Sequence, residues 1–233
     1  KGMIIFAGGD KYEGNWKNDE LNGEGKYTWK EGAEYEGNWI NNGRNGYGTM
    51  KYSNGSVYKG DWKDDQREGK GVLIFASGNK YEGSWKNYKF NGEGKLTWKN
   101  GAEYEGNWRN NLRDGYGVMK YSDGSTYKGN WIEDQQNGEG TLFTRKSGEI
   151  YEGNWIDNQR IGYGTMKYSN GNVYSGDWKD DLRNGFGKLT LENGIEYEGN
   201  WINGFQDGPM KYSDGSVYKG DWKDDKREGE GVL

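Results

Sequence analysis

The side chains in this sequence that could do chemistry are acidic, basic and aromatic, and they recur at fixed places. Carboxylate pairs stand at Asp64-Asp65, Asp180-Asp181 and Asp224-Asp225. Arginines stand at Arg44, Arg67, Arg113, Arg160, Arg183 and Arg227, each five residues after a Trp. Paired carboxylates suggest calcium binding or acid–base work. A calcium loop, however, draws several oxygen ligands from alternating positions around a Gly turn, and a bare pair supplies too few. A row of guanidinium groups suits the carboxylates or phosphates of a partner. Here each has acidic neighbours, as Asp64, Asp65 and Glu68 surround Arg67, so a role inside the fold is the stronger expectation.

The 233 residues contain no His and no Cys. The commonest acid–base catalyst, the thiolate nucleophile, disulfides and Cys-ligated zinc or iron–sulfur sites are thereby excluded. There is no G-x-x-x-x-G-K-[ST] phosphate loop, and the G-x-G motifs present precede strands rather than helices. No catalytic residue, no metal and no cofactor is expected. A formal net charge of −5 disfavours nucleic acid as a partner and makes an anionic membrane surface a weaker one. No apolar run is long enough for a membrane-spanning helix.

Positioning these residues falls to an unusual chain. It has 43 Gly and a single Pro, and aromatics make up 16% of it. Its core must be thin and built from Trp and Tyr. The pattern Y-x-G-x-W begins at Tyr12, Tyr35, Tyr58, Tyr81, Tyr104, Tyr127, Tyr151, Tyr174, Tyr197 and Tyr218, a period of 23 broken by one interval of 24 and one of 21. A Gly follows seven residues after each Trp and usually opens G-x-G; a turn Gly precedes each Tyr by three. Gly recurs too often for helix, and the unit reads as a hairpin.

Alternation puts Gly46, Gly48, Met50 and Tyr52 on one face of a first strand, and Tyr58, Gly60 and Trp62 on the same face of a second. To bring Met50 opposite Tyr58 the loop must be Ser53-Asn54-Gly55 with Gly55 left-handed; a two-residue Asn-Gly loop would split the apolar set across both faces. Gly48 then faces Gly60 and leaves a slot for a ring from the adjacent strand. Tyr58, Trp62, Tyr104, Trp108, Tyr151 and Trp155 are the central members of an aromatic ladder on one face. On the other, solvated face Lys26 opposes Glu36, Lys95 opposes Glu105 and Lys188 opposes Glu198. The expected fold is all-β, an elongated single-layer antiparallel sheet of about ten 23-residue hairpin repeats, each touching its neighbours. Lys1–Ala7 aligns with Lys70–Ala76 and the chain stops at Gly231-Val232-Leu233, matching Gly71-Val72-Leu73. Residues 1–233 are accordingly expected to form one continuous array within a longer repeat protein.

Y-x-G-x-W, about seven residues, G-x-G and an Asn/Asp-Gly turn at period 23 together resemble the MORN (membrane occupation and recognition nexus) repeat, over essentially all 233 residues. The resemblance implies an attachment module, used in its relatives for scaffolding and protein–protein binding, in a cytoplasmic, cytoskeleton-associated or ciliary setting.

In a repeat protein a binding site is sought where copies differ. The turn Thr144-Arg145-Lys146-Ser147-Gly148 is one residue longer than its equivalents and basic. Tyr88, Phe90 and Phe205 place aromatic rings in otherwise charged connections. Gly208-Pro209-Met210 lacks two residues, and Pro209 removes a ladder donor, so pairing should bend or break there. The candidate partner-binding residues are therefore Tyr88, Phe90, Arg145, Lys146 and Phe205. The expected function is a non-enzymatic scaffold with protein partners, self-association included. A partner helix or extended peptide is expected along the aromatic face, which a single layer leaves uncovered. Peripheral phospholipid attachment and an aromatic-cage array for cations or sugars are the alternatives.

Overall fold

The computed structural model describes residues 1–212, 214–223 and 226–232, with side chains described for 1–209, 211, 212 and 214–220. The chain divides into two compact units, Lys1–Gly115 and Tyr116–Leu233. It is all-β: the described residues contain strands and turns and no helix. Within each unit successive strands pair antiparallel in chain order, in an open sheet of hairpin repeats.

The register in the second and third repeats is the one that alternation requires. Met50 faces Tyr58, Gly48 faces Gly60 and Gly46 faces Trp62. The turn Ser53-Asn54-Gly55 is closed by bonds from the Tyr52 amide to the Ser56 carbonyl and from the Gly55 amide to the Tyr52 carbonyl, with Gly55 at φ +87°.

Trp-to-Gly connections, in contrast, are not loops. The strand Val57–Lys63 runs into a two-residue turn, Asp64-Asp65, and the strand Gln66–Ile74 follows at once. Both turn residues are left-handed (φ 46° and 67°), as are Asn41-Asn42, Asp157-Asn158 and Asp180-Asp181. This is the mirror-image turn that matches strand twist, and Asn and Asp tolerate it best. Asp64-Asp65 and Asp180-Asp181 are thus turn residues; Asp224-Asp225 lies outside the described residues.

One tyrosine per repeat lies flat on a pair of glycines. Gly60 faces Gly71, and a Cβ on Gly71 would meet carbons of the Tyr58 ring at 2.6 Å. The Tyr58 hydroxyl donates to the Asp61 carbonyl at 2.9 Å. Trp62 and Trp85 flank that ring edge-on, at centroid distances of 5.1 and 5.3 Å, and the Trp62 indole N–H donates to the Gly48 carbonyl at 3.4 Å. The same set recurs at Tyr151, with Trp155 and Trp178 at 5.1 and 5.2 Å, and Tyr104 and Trp108 pair at 4.9 Å. All six expected ladder residues are buried.

Two expectations need correction. The Lys residues of the solvated face do oppose their expected Glu partners in register. Their ammonium groups, however, reach diagonally by two residues: Lys26 to Glu34 (3.1 Å), Lys95 to Glu103 (2.9 Å) and Lys188 to Glu196 (2.8 Å). Strand twist brings diagonal neighbours within reach of a long side chain. Lys95 also stands 4.0 Å from its directly opposed Glu105.

The aromatic face was expected to need a partner for cover. Yet Tyr58 is 0% and Trp62 3% exposed in the chain alone, because the chain supplies its own lid. Near Gly208-Pro209 the ladder is interrupted as anticipated: the strand Phe205–Asp207 ends, and Met210–Lys211 pairs with Val217–Lys223 in a separate three-stranded sheet.

Trp62→Ala is expected to destabilise the chain by about 3–5 kcal/mol in denaturant titration. Gly71→Ala, which forces a methyl into the Tyr58 ring, should cost at least about 1–3 kcal/mol. A neutral Gly71→Ala would show that the ring does not rest on the backbone.

Candidate functional site

The lid over the ladder is made of the arginines. The Arg44 guanidinium carbon lies 4.3 Å from the Trp62 ring centroid, Arg67 4.3 Å from Trp85, Arg160 4.6 Å from Trp178 and Arg183 3.9 Å from Trp201. Each caps the Trp of the following repeat, a cation–π arrangement, and each also donates to a backbone carbonyl of that repeat's two-residue turn: Asp65 (3.1 Å), Tyr88 (3.1 Å), Asp181 (2.8 Å) and Gly204 (2.6 Å). Arg44 and Arg160 add a bond from Nε to the carboxylates of Asp65 and Asp181, at 2.8 and 2.9 Å. These guanidinium groups are used within the fold. The side chain of Arg227 lies outside the described residues.

Desolvation under this lid acts on the phenols. Burial pushes Tyr35, Tyr58, Tyr81, Tyr127 and Tyr174 above the usual tyrosine value, and Tyr151 up to about 12. Tyr27 also rises to about 12, through burial and then through its hydrogen bond to Asp10.

At the arginine position four repeats carry something else, namely Leu21, Phe90, Gln136 and Gln206. Phe90 stacks on Tyr81 with centroids 3.6 Å apart and planes within 7°, and meets Trp85 and Trp108 edge-on. The structure therefore places Phe90 in the ladder, filling the guanidinium position. It is not the exposed loop-edge ring that the charged neighbourhood of its sequence suggested. Leu21 and Gln136 are both buried. Each borders a cleft in the ladder face, of about 480 Å³ at Leu21 and about 420 Å³ at Gln136.

The other candidates do reach the surface, at separate places. Tyr88 is the second residue of its turn, left-handed at φ 66° and 40% exposed. A bulky residue there is strained. Its hydroxyl donates to the Asp65 carbonyl. Since Tyr88 stands where Asp65 and Asp181 serve Arg44 and Arg160, the buried Nε of Arg67 has no hydrogen-bond partner. Phe205 faces Ile202 directly across the turn Asn203-Gly204, on the face opposite the ladder; both are about half exposed. Leu182 reaches the same turn, with a methyl carbon 3.9 Å from where a Cβ on Gly204 would stand. Arg145 and Lys146 are exposed on the long turn, which is tied to the preceding hairpin by the Arg145 amide donating to Ser125 Oγ at 3.0 Å. Sequence reasoning missed Tyr47, Tyr116, Tyr163 and Phe186, exposed on the face opposite the ladder. Their signal was an aromatic residue at the centre of G-x-G, where other repeats have Glu or Lys.

The model of the MORN repeat matches ten consecutive segments: 12–34, 35–57, 58–80, 81–103, 104–126, 127–145, 151–173, 174–195, 197–217 and 218–233. The chain belongs to the MORN-repeat family. No curated protein matches this MORN chain significantly in sequence. Among solved structures it is similar to the wild-type TCP10 domain of Danio rerio CPAP in complex with a peptide of Danio rerio STIL: 12% identity, 100% of this chain and 98% of that one covered, TM-score 0.50. A second structure of the wild-type TCP10 domain of Danio rerio CPAP matches over 85% of this chain and 94% of that one, at 11% identity and TM-score 0.47. At that identity the likeness concerns the fold.

Two outcomes follow from the lid. A phenol whose folded pKa is raised stabilises the fold fully below its unfolded value of about 10, and that contribution is lost as pH rises through the folded value. The MORN array is therefore expected to unfold cooperatively once pH climbs from about 10 towards about 12, with tyrosinate absorbance rising as circular dichroism is lost. Ladder phenols that ionise with the sheet intact would contradict it. Tyr88→Asp should remove a strained residue and give Arg67 Nε the carboxylate that Arg44 and Arg160 have, raising stability by about 1 kcal/mol in denaturant titration.

Proposed function

We propose that this MORN array is a non-enzymatic scaffold that holds peptide segments of protein partners within a larger cytoplasmic, cytoskeleton-associated assembly. The observation that carries this reading is the exposed apolar set the fold does not use. Ile202 and Phe205 face each other half exposed beside Leu182, and Ile156, Tyr163 and Phe186 are exposed in the same unit. Large apolar side chains grouped on a sheet face suit a partner. Tyr88, Phe205, Arg145 and Lys146 are the contacts assigned to partners; Phe90 supports the ladder beneath them. The TCP10 domain, whose fold is similar, was solved with a bound peptide of STIL, and that mode of use is carried over here as a proposal.

Phospholipid attachment is less well supported, because the arginines that would meet phosphates are capping Trp rings. Enzymatic activity is also less well supported: the composition has no His and no Cys, and the carboxylate pairs Asp64-Asp65 and Asp180-Asp181 are turn residues.

The test is affinity capture from the source cell with the tagged chain and with a Tyr88→Asp/Phe205→Thr double variant, checked to melt no lower than wild type. A stoichiometric protein held by wild type and lost by the variant is the expected result. Recovery of lipid or glycan in place of protein would overturn the scaffold reading.

A further inference from the structure

The cleft at Gln136 lies where one repeat lacks both halves of its lid. The residue that opens each three-residue turn is a ring in eight repeats: Phe6, Trp29, Tyr52, Phe75, Trp98, Tyr121, Tyr168 and Tyr212. Where successive arginines are present the ring sits between them. Tyr52 is within electrostatic reach of Arg44 and Arg67, and Tyr168 of Arg160 and Arg183. The corresponding residue of the sixth repeat is Thr144, which neighbours Gln136 at the arginine position. Both replacements are smaller than what they replace. The result is a cleft of about 420 Å³ between Gln136 and Arg160, lined also by Thr144, Tyr151, Trp155 and Met166, whose two wall carboxylates are already engaged, Glu149 by Ser147 Oγ and Asp181 by Arg160. It occupies the place, relative to residues 136 and 160, that Tyr52 takes relative to Arg44 and Arg67.

Nothing in the adjoining turn fills it. Arg145 lies against Gly124 of the preceding hairpin, so close that a Cβ there would stand 2.6 Å from Arg145 Cδ. The Gly148 amide bonds the Thr144 carbonyl at 2.7 Å, closing a turn one residue longer than its equivalents. That turn alone among them carries two adjacent cations, Arg145 and Lys146, both exposed.

We propose that this cleft is a socket for an aromatic side chain of a bound peptide, supplied from outside where the other repeats supply one from within. Carboxylates flanking that aromatic residue in the peptide meet Arg145 and Lys146 at the rim. A ring is favoured as occupant because the chain uses rings for this same location. It would bury apolar area against Met166 and Tyr151 and lie beside the Arg160 guanidinium. The socket rests on the scaffold reading, and names one anchor of the partner.

The probe is the capped peptide Asp-Glu-Trp-Glu-Asp, titrated into the isotopically labelled full chain and followed by amide chemical shifts. Saturable shifts are expected at Gln136, Thr144, Arg160 and Met166, and none from the same peptide with Ala in place of Trp. Thr144→Tyr should raise the melting temperature, by filling the cleft, and abolish those shifts. Thr144→Ala, which leaves the cleft open, should keep them. Lys146→Glu should weaken binding several-fold without changing which amides move. The socket is overturned if the Trp peptide moves none of these amides, if the Ala peptide moves them equally, or if Thr144→Tyr binds as wild type does. Partner capture that survives in Thr144→Tyr would sink the socket and leave the scaffold standing. Loss of capture by wild type itself would sink the scaffold.

Discussion

Everything in this chain depends on a phenol ring lying on bare backbone. A sheet of one layer has no second layer to bury its apolar face. Here the glycines of Y-x-G-x-W and G-x-G come opposite each other, as Gly60 does Gly71, and their missing Cβ atoms let the tyrosine ring rest on the strands themselves. The hydroxyl then finds a carbonyl three residues on, and two Trp rings close on the tyrosine from either side. Each Trp serves two tyrosines, so the packing that buries one repeat is completed by the next. Any side chain larger than hydrogen at those glycines would lift the ring and expose the face.

Because the ladder needs a lid, arginine becomes a core residue. Its planar head caps an indole while its N–H groups satisfy the turn carbonyls of the neighbouring repeat. That double use explains why a row of cations that would suit a partner's anions is turned inward, as the acidic neighbours of each arginine suggested. It also explains the different consequences of replacing one. Phe90 keeps the lid shut by stacking, whereas Gln136 with Thr144 leaves it open. The repeated residues are committed to the fold, so departures from the repeat are where side chains are left over for other uses.

Much of the fold was legible in the residues. Period two, read with the requirement that Met50 and Tyr58 share a face, selected the three-residue turn at Ser53-Asn54-Gly55, and Pro209 marked the break in pairing. The two-residue turns were hidden because Asn and Asp pairs in a charged stretch look like a solvated loop or a metal ligand pair; only their left-handed backbone shows what they do. Tyr88 and Phe205 were found as exposed rings because each breaks a local pattern. Phe90 breaks it too, yet its register position on the strand faces it into the ladder.

The sequence by itself determined the hairpin repeat, its register and the placement of glycines under aromatic rings, since these follow from alternation, spacing and the absence of Cβ. Only the tertiary structure decided that the aromatic face is sealed and by what. Whether Arg67 points to a partner or onto Trp85, and whether Lys26 meets Glu36 or Glu34, depends on strand twist and on contacts between side chains that neighbouring strands bring together. No local pattern encodes such contacts.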